Sequence, residues 1–207
     1  LYFYKAPSDK EFHEETCRKL DQLHFYDVLR ANKSPMAWGV ETRVPFLDKE
    51  LLDFVMTIHP SIKRPVKGKQ IEKDILRSSF DLLDENGKEY LPNDILWRQK
   101  EQFSDGVGYS WVDTLKQNCE LKISDDDFNN KQMYYKHNTP ITKEGCYYRM
   151  IFNEYFPWNC ELLVPPEKTI ACSSSVAAEW DEKWKGLSEA SGRIVNDIHV
   201  NSNISKL

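Results

Sequence analysis

Lys100 lies in the run Trp97-Arg98-Gln99-Lys100-Glu101-Gln102-Phe103-Ser104-Asp105-Gly106. A short helix is expected just before it and the Ser104-Asp105-Gly106 turn just after, so a flexible loop can carry its ammonium into a site, and a solvated surface lysine is the plain alternative. Glu101 and Asp105 are carboxylates beside it; either can tune the lysine, and a solvated loop charge is an equal reading of each. Asp27 and Arg30 stand three positions apart in a helical pattern, which puts them on one face. Spacing alone reads that pair as a helix-stabilising contact of about 0.2–0.5 kcal/mol. Arg43 and Asp48 flank Val44-Pro45-Phe46-Leu47, where packing outweighs chemistry: Pro45 is expected to hold the chain extended, Phe46 and Leu47 to plug the core, and Asp48 to cap the next helix. The histidines, His13, His24, His59, His137 and His199, have no two-ligand spacing, and no metal is assigned to them.

The elements that must position these residues read as helices. Ser8-Asp9-Lys10-Glu11 is a capping box, and apolar residues from Phe12 through Leu20 and Leu23 to Leu29 recur every three or four positions, so one long helix is expected from Ser8 to Asn32. Ser34-Pro35 predicts a second helix start, closed by Gly39 or Arg43. Asp48 should open a helix carrying Leu51, Leu52, Val55 and Met56, ended by His59-Pro60. A basic loop from Lys63 to Lys69 leads to a helix with Ile71, Ile75, Leu76 and Phe80 inward, followed by an Asn86-Gly87 turn. Further helices are expected near Tyr109–Leu121, Asp125–Tyr134 and Thr142–Tyr155, with Pro157 stopping the last, and a short one at Val176–Trp184. Strand patterns are missing, so the fold class is mainly α.

Composition narrows the function classes. The net charge of −5, from 33 acidic and 28 basic residues, lacks the Lys/Arg surplus that a phosphate backbone requires, which argues against nucleic acid. No apolar run approaches the roughly 20 residues of a membrane-spanning helix. The five cysteines are odd in number, widely spaced and without a Cys-x-x-Cys pair, so they are read as reduced thiols. The opening Leu1-Tyr2-Phe3-Tyr4, without Met, reads as a cut through a longer protein.

Three stretches resemble the asparagine synthetase family. They are Leu1-Tyr2-Phe3-Tyr4-Lys5-Ala6-Pro7; Tyr26-Asp27-Val28-Leu29-Arg30-Ala31-Asn32-Lys33 with Trp38-Gly39-Val40-Glu41-Thr42-Arg43-Val44-Pro45-Phe46-Leu47-Asp48; and the Lys100 run. Weaker matches continue through Asn138-Thr139-Pro140, Lys143 to Arg149 and Ala171 to Ser174, in the family order. The resemblance implies that residues 1–187 are the helical C-terminal portion of an α/β ATP-pyrophosphatase synthetase domain, with 188–207 a polar tail. It implies a glutamine-hydrolysing enzyme of the cytosol that uses ATP and Mg²⁺ to turn aspartate into asparagine through an aspartyl adenylate. Its partners would be aspartate, ATP, ammonia from glutamine, and two upstream parts of the same protein: an N-terminal glutaminase and the synthetase segment with the pyrophosphate loop. Oligomeric state stays open, a homodimer included.

The resemblance gives Lys100 the place of the family's catalytic lysine. With the Tyr26-Asp27-x-x-Arg30 motif included, Asp27 and Arg30 fall at the rim of the aspartate and nucleotide pocket. Asp27 would hold Lys100 or Mg²⁺, and Arg30 would grip a carboxylate or phosphate through its planar fork. Glu101 and Asp105 would serve the nucleotide side. By itself the chain is expected to be inactive. The alternatives are a beta-lactam-synthetase-like or other amide-forming relative, and a helical binding module without chemistry.

Overall fold

The computed structural model of the chain describes residues 3–66, 69–98, 109–164 and 174–182, apart from the side chains of Asp27 and Tyr109. They form two compact units, one from residues 3–98 with 176–182 and one from residues 109–164 with 174–175. Helices dominate both, and the extended pairing among the described residues is limited to the isolated bridges Val66 to Gln70 and Leu83 to Glu89. No helix among them is long and apolar enough to cross a membrane.

In the first unit α1 spans Asp9–Asp21, α2 Asp27–Met36, α3 Lys49–Thr57, α4 Pro60–Lys63, α5 Asp74–Ser79 and α6 Asn93–Leu96. Ser8 caps α1 as expected: its hydroxyl accepts from the Lys10 and Glu11 amides and donates to the Glu11 carboxylate. The single long helix, however, is two. The chain leaves α1 at Gln22, makes a 3₁₀ turn at Leu23–Phe25 and re-enters a helix after Tyr26 (φ −124°, ψ −110°). The aromatic run His24-Phe25-Tyr26 keeps the apolar spacing but has poor helix propensity, so periodicity carried the expectation past a real break. Phe12, T-shaped against Phe3 at 5.5 Å, and the bidentate Glu15–Arg18 pair (2.8 and 2.5 Å) face inward from α1, which packs on α4.

Nor does a helix start at Ser34-Pro35; α2 runs through it and ends one residue later. The expected Gly39 closure is present as a Schellman motif: Gly39 is left-handed (φ 71°), and the amides of Gly39 and Val40 return to the carbonyls of Met36 (3.0 Å) and Pro35 (3.1 Å). Pro45–Leu47 is a 3₁₀ turn and not extended, and Phe46 is 64% exposed, so it plugs no core within the described residues. Asp48 does cap α3, accepting from the Leu51 amide at 3.1 Å. Trp38 at 86% and Phe54 at 64% are likewise open to solvent.

The second unit holds α7 (Tyr109–Lys122), α8 (Asp125–Tyr134) and α9 (Lys143–Tyr155), all close to their expected bounds, the last two because their caps are legible. Ser124 accepts from the Asp127 amide (3.1 Å) and Thr142 from the Gly145 amide (3.0 Å). α9 packs on α7 and α8 around Ile123, Tyr135 and the fully buried Cys146, with Phe128, Tyr147 and Met150 closing over them. The Arg149 guanidinium lies 4.8 Å from the Tyr135 ring and donates to the His137 carbonyl and the Asn153 side chain. The expected Val176–Trp184 helix is a 3₁₀ turn, Ala177–Glu179, among the described residues; Cys172, Ser173 and residues 183–207 lie outside them.

Candidate functional site

Residues 26–48 form one supersecondary piece. Asp27 is the first residue of α2 and Arg30 follows one turn on, exposed. The helix has a gap in its ladder: Pro35 has no amide to give to the Ala31 carbonyl. Thr42, on the segment returning from the Gly39 turn, fills it with a hydroxyl 2.8 Å from that carbonyl. The turn fixes the direction of return and Thr42 fixes its register against α2. Arg43 reaches Glu41 at 2.9 Å in solvent.

The other nominated residues, Lys100, Glu101 and Asp105, lie outside the described residues, as does the side chain of Asp27. What is visible is the anchor from which the Lys100 run departs. α6 ends with Leu96 buried at 5% exposure. Its carbonyl accepts from Arg77 Nη1 on α5 at 2.5 Å. Arg77 Nε donates to the Glu72 carbonyl at 3.1 Å, and Nη2 stands 3.5 Å from the Glu72 carboxylate. The Arg77 and Glu72 side chains are only 11% and 17% exposed. Between them Lys73 adopts the left-handed region (φ 60°), strain of about 1 kcal/mol for a residue with a side chain, and that bend turns Glu72 back toward Arg77. Sequence reasoning missed both Thr42 and Arg77. Each acts on a backbone carbonyl distant in sequence, which leaves no side-chain pattern to read.

Three of the described histidines make polar contacts within the fold, and His24 lies with its ring 3.9 Å from that of Phe25. His59 Nδ1 accepts from the Ser61 amide at 3.3 Å, and His137 Nε2 donates to the Val164 carbonyl at 2.7 Å. His13 Nε2 meets the Cys17 thiol at 3.6 Å. No group of three or more His, Cys, Asp or Glu among the described residues is arranged to hold a metal. An open cleft of about 610 Å³ beside α4 and α5, lined by Ser61, Ile62, Lys69, Gln70, Asp74 and neighbours, contains none of the nominated residues. In the first unit, burial pushes the Lys63 ammonium below its ordinary range, opposed by Cys17; it donates to the Val55 carbonyl at 2.8 Å. It serves as a tie between α3 and α4.

The Tyr26–Asp48 piece carries one of the three stretches that the sequence singled out, and the Lys100 run begins directly after α6. Residues 4–163 match the family model for asparagine synthase. The chain belongs to the asparagine synthase family. Its relatives include asparagine synthetase [glutamine-hydrolyzing] 1 of Lotus japonicus, 52% identical over 98% of this chain, and asparagine synthetase [glutamine-hydrolyzing] 2 of Oryza sativa subsp. japonica, 54% identical over 96%. A third, asparagine synthetase [glutamine-hydrolyzing] 1 of Arabidopsis thaliana, is 51% identical over 98%. In each case the match covers 34% of the relative, so this chain spans about a third of the length of the curated relatives it matches.

Proposed function

We propose that this chain works as the helical C-terminal part of the synthetase domain, residues 1–187 with 188–207 as a tail, of a cytosolic glutamine-hydrolysing asparagine synthetase. The observation that carries the reading is the family match over residues 4–163, which includes the Tyr26–Asp48 stretch and the Lys100 run in full. In the proposed reaction an oxygen of the aspartate side-chain carboxylate attacks the α-phosphorus of ATP and pyrophosphate leaves. Ammonia then attacks the acyl carbon, AMP departs with the bonding electron pair, and the nitrogen loses its extra proton to give asparagine. Mg²⁺ enters with ATP as part of the substrate and neutralises phosphate charge. The glutaminase that supplies ammonia and the segment that cradles pyrophosphate are partners from the same protein, and a homodimer is compatible with the assignment.

Lys100 supplies a compact positive charge aimed where negative charge grows on the phosphates during attack, so it acts on the transition state more than on bound ATP. Arg30 grips a carboxylate or phosphate through two parallel donors, and Asp27 holds Lys100 or the substrate's Mg²⁺ in register. Glu101 and Asp105 serve the nucleotide side. The test is exchange of labelled pyrophosphate into ATP by the full-length protein. Exchange that depends on aspartate supports the assignment; exchange driven by another carboxylate in place of aspartate favours an amide-forming relative, and no exchange with any carboxylate favours the binding module.

A further inference from the structure

We propose that Cys17 is a site of reversible thiol–disulfide modification, with His13 as the base that takes the thiol proton and an anionic low-molecular-weight disulfide as the reactant. The two residues stand one turn apart on α1, and the Cys17 sulfur lies 3.6 Å from His13 Nε2. Cys17 is exposed, so its sulfur is open to a reactant. The other described cysteines differ: Cys119 and Cys146 are buried, and the half-buried Cys160 donates its thiol hydrogen to the Pro157 carbonyl at 2.8 Å. A thiol attacks as its thiolate, and a neighbouring imidazole that can accept the proton is what activates it.

Asp9, His13 and Cys17 recur every four residues and so form one stripe of α1, the side that packs on α4. At one end of the stripe Asp9 meets Arg64, the residue after α4, at 3.1 Å. At the other end is Lys63, the last residue of α4, tethered by its bond to the Val55 carbonyl. Cys17 is close enough to Lys63 to oppose the lowering of its ammonium by burial. A fixed ammonium beside the sulfur favours the thiolate as it forms and attracts a reactant that carries carboxylates. In the exchange His13, with its own proton on Nδ1, takes the thiol proton at Nε2 while the Cys17 sulfur attacks one sulfur of the disulfide. The new S–S bond forms as the old one breaks, and the departing thiolate recovers the proton from the imidazolium. Cys17 ends oxidised as a mixed disulfide, half of the reactant ends reduced as a free thiol, and excess thiol reverses the step.

The experiment treats the full-length protein with oxidised glutathione, a net anion, or with neutral bis(2-hydroxyethyl) disulfide, and follows the adducts at Cys17 and Cys160 by peptide mass spectrometry. In the wild type Cys17 is expected to react at least about tenfold faster than Cys160 and to return to the free thiol with dithiothreitol. His13→Gln should slow Cys17 about tenfold with both probes and leave Cys160 unchanged. His13→Ala is carried alongside, with circular dichroism as a check on folding. The ratio of the Cys17 rate to the Cys160 rate should be larger with oxidised glutathione than with the neutral probe, and Lys63→Met should remove that difference. The proposal is overturned if Cys17 forms no adduct, if it reacts no faster than Cys160, or if folded His13→Gln and His13→Ala react at the wild-type rate. Equal rate ratios for the two probes would overturn the anionic reactant. The wild-type comparison of Cys17 with Cys160 needs no substitution, so it tests the site even where a variant fails to fold.

Discussion

The Thr42 hydroxyl donates to the Ala31 carbonyl at 2.8 Å, the bond that the helix itself cannot make because residue 35 is proline. Thr42→Val keeps the shape and removes the donor, and should destabilise the unit by about 1 kcal/mol in urea unfolding. Thr42→Ser should retain most of the stability. In a Pro35→Ala background, where the helix regains its amide, Thr42→Val should cost distinctly less. Equal costs in the two backgrounds would mean that the hydroxyl is not filling the proline gap.

Lys100→Ala in the full-length protein should lower adenylate formation by about 10²-fold or more, while ATP binding weakens far less. Lys100→Arg should restore only part of the rate, since a wide guanidinium does not occupy the place of an ammonium. Glutamine hydrolysis should survive as a basal activity. Near wild-type asparagine formation by Lys100→Ala would return Lys100 to the status of an ordinary loop lysine.

The second unit should lose stability at both ends of the pH scale for identifiable reasons. A hydrogen bond from Lys143 (2.7 Å) and its charge hold the Asp125 carboxyl below the usual carboxylate range. A depressed carboxyl contributes stability that is present above its unfolded pKa, about 3.9, and lost as pH falls through the lower folded value. Asp125→Asn should therefore flatten the acid limb of a stability profile taken from pH about 5 downwards. On the alkaline side, burial and then the hydrogen bond to Glu144 (3.0 Å) push the Tyr148 hydroxyl up to about 12. Its contribution is complete below pH about 10 and lost on the way to 12. Burial pushes the Tyr135 hydroxyl up as well, so ultraviolet titration of Tyr148→Phe should show the late phase reduced by one tyrosine rather than abolished; an unchanged late amplitude would contradict the assignment.

Alkylation should separate the cysteines by exposure and thiolate content. Burial pushes the Cys119 and Cys146 thiols up, so both the thiolate and access to it are scarce. Cys17 is exposed on α1. Iodoacetamide at pH about 8, read by mass spectrometry, should label Cys17 early and Cys146 only after denaturant is added. Labelling of Cys146 at the rate of Cys17 would show that the α7–α9 core opens readily.

The helices of the second unit were legible because Ser124 and Thr142 are local signals, each satisfied within three residues of its own position. The break between α1 and α2 was not, because Leu23 and Tyr26 preserve a spacing that fits a continuous helix and the redirection at Tyr26 is a backbone event. Pro35 misled in the opposite sense: a proline in the last turn removes one bond, and a threonine seven residues later replaces it. Of the candidate site, the motif runs could be read from residue identity, including the caps and turn around them. The clamp on Leu96 could not, because arginine at position 77 on a six-residue helix looks like any partly solvated arginine until the carbonyl it serves is located.

The open apolar side chains of Trp38, Phe46 and Phe54 set how the chain behaves as a colloid when handled by itself. Attraction between such surfaces does not weaken with salt, whereas the repulsion from a net charge of −5 is confined to about 8 Å at physiological ionic strength and to about 3 Å at 1 M. Raising the salt strips away the only long-range force keeping copies apart. Dilute, low-salt buffer, held well above the isoelectric point, is the medium in which this chain stays dispersed.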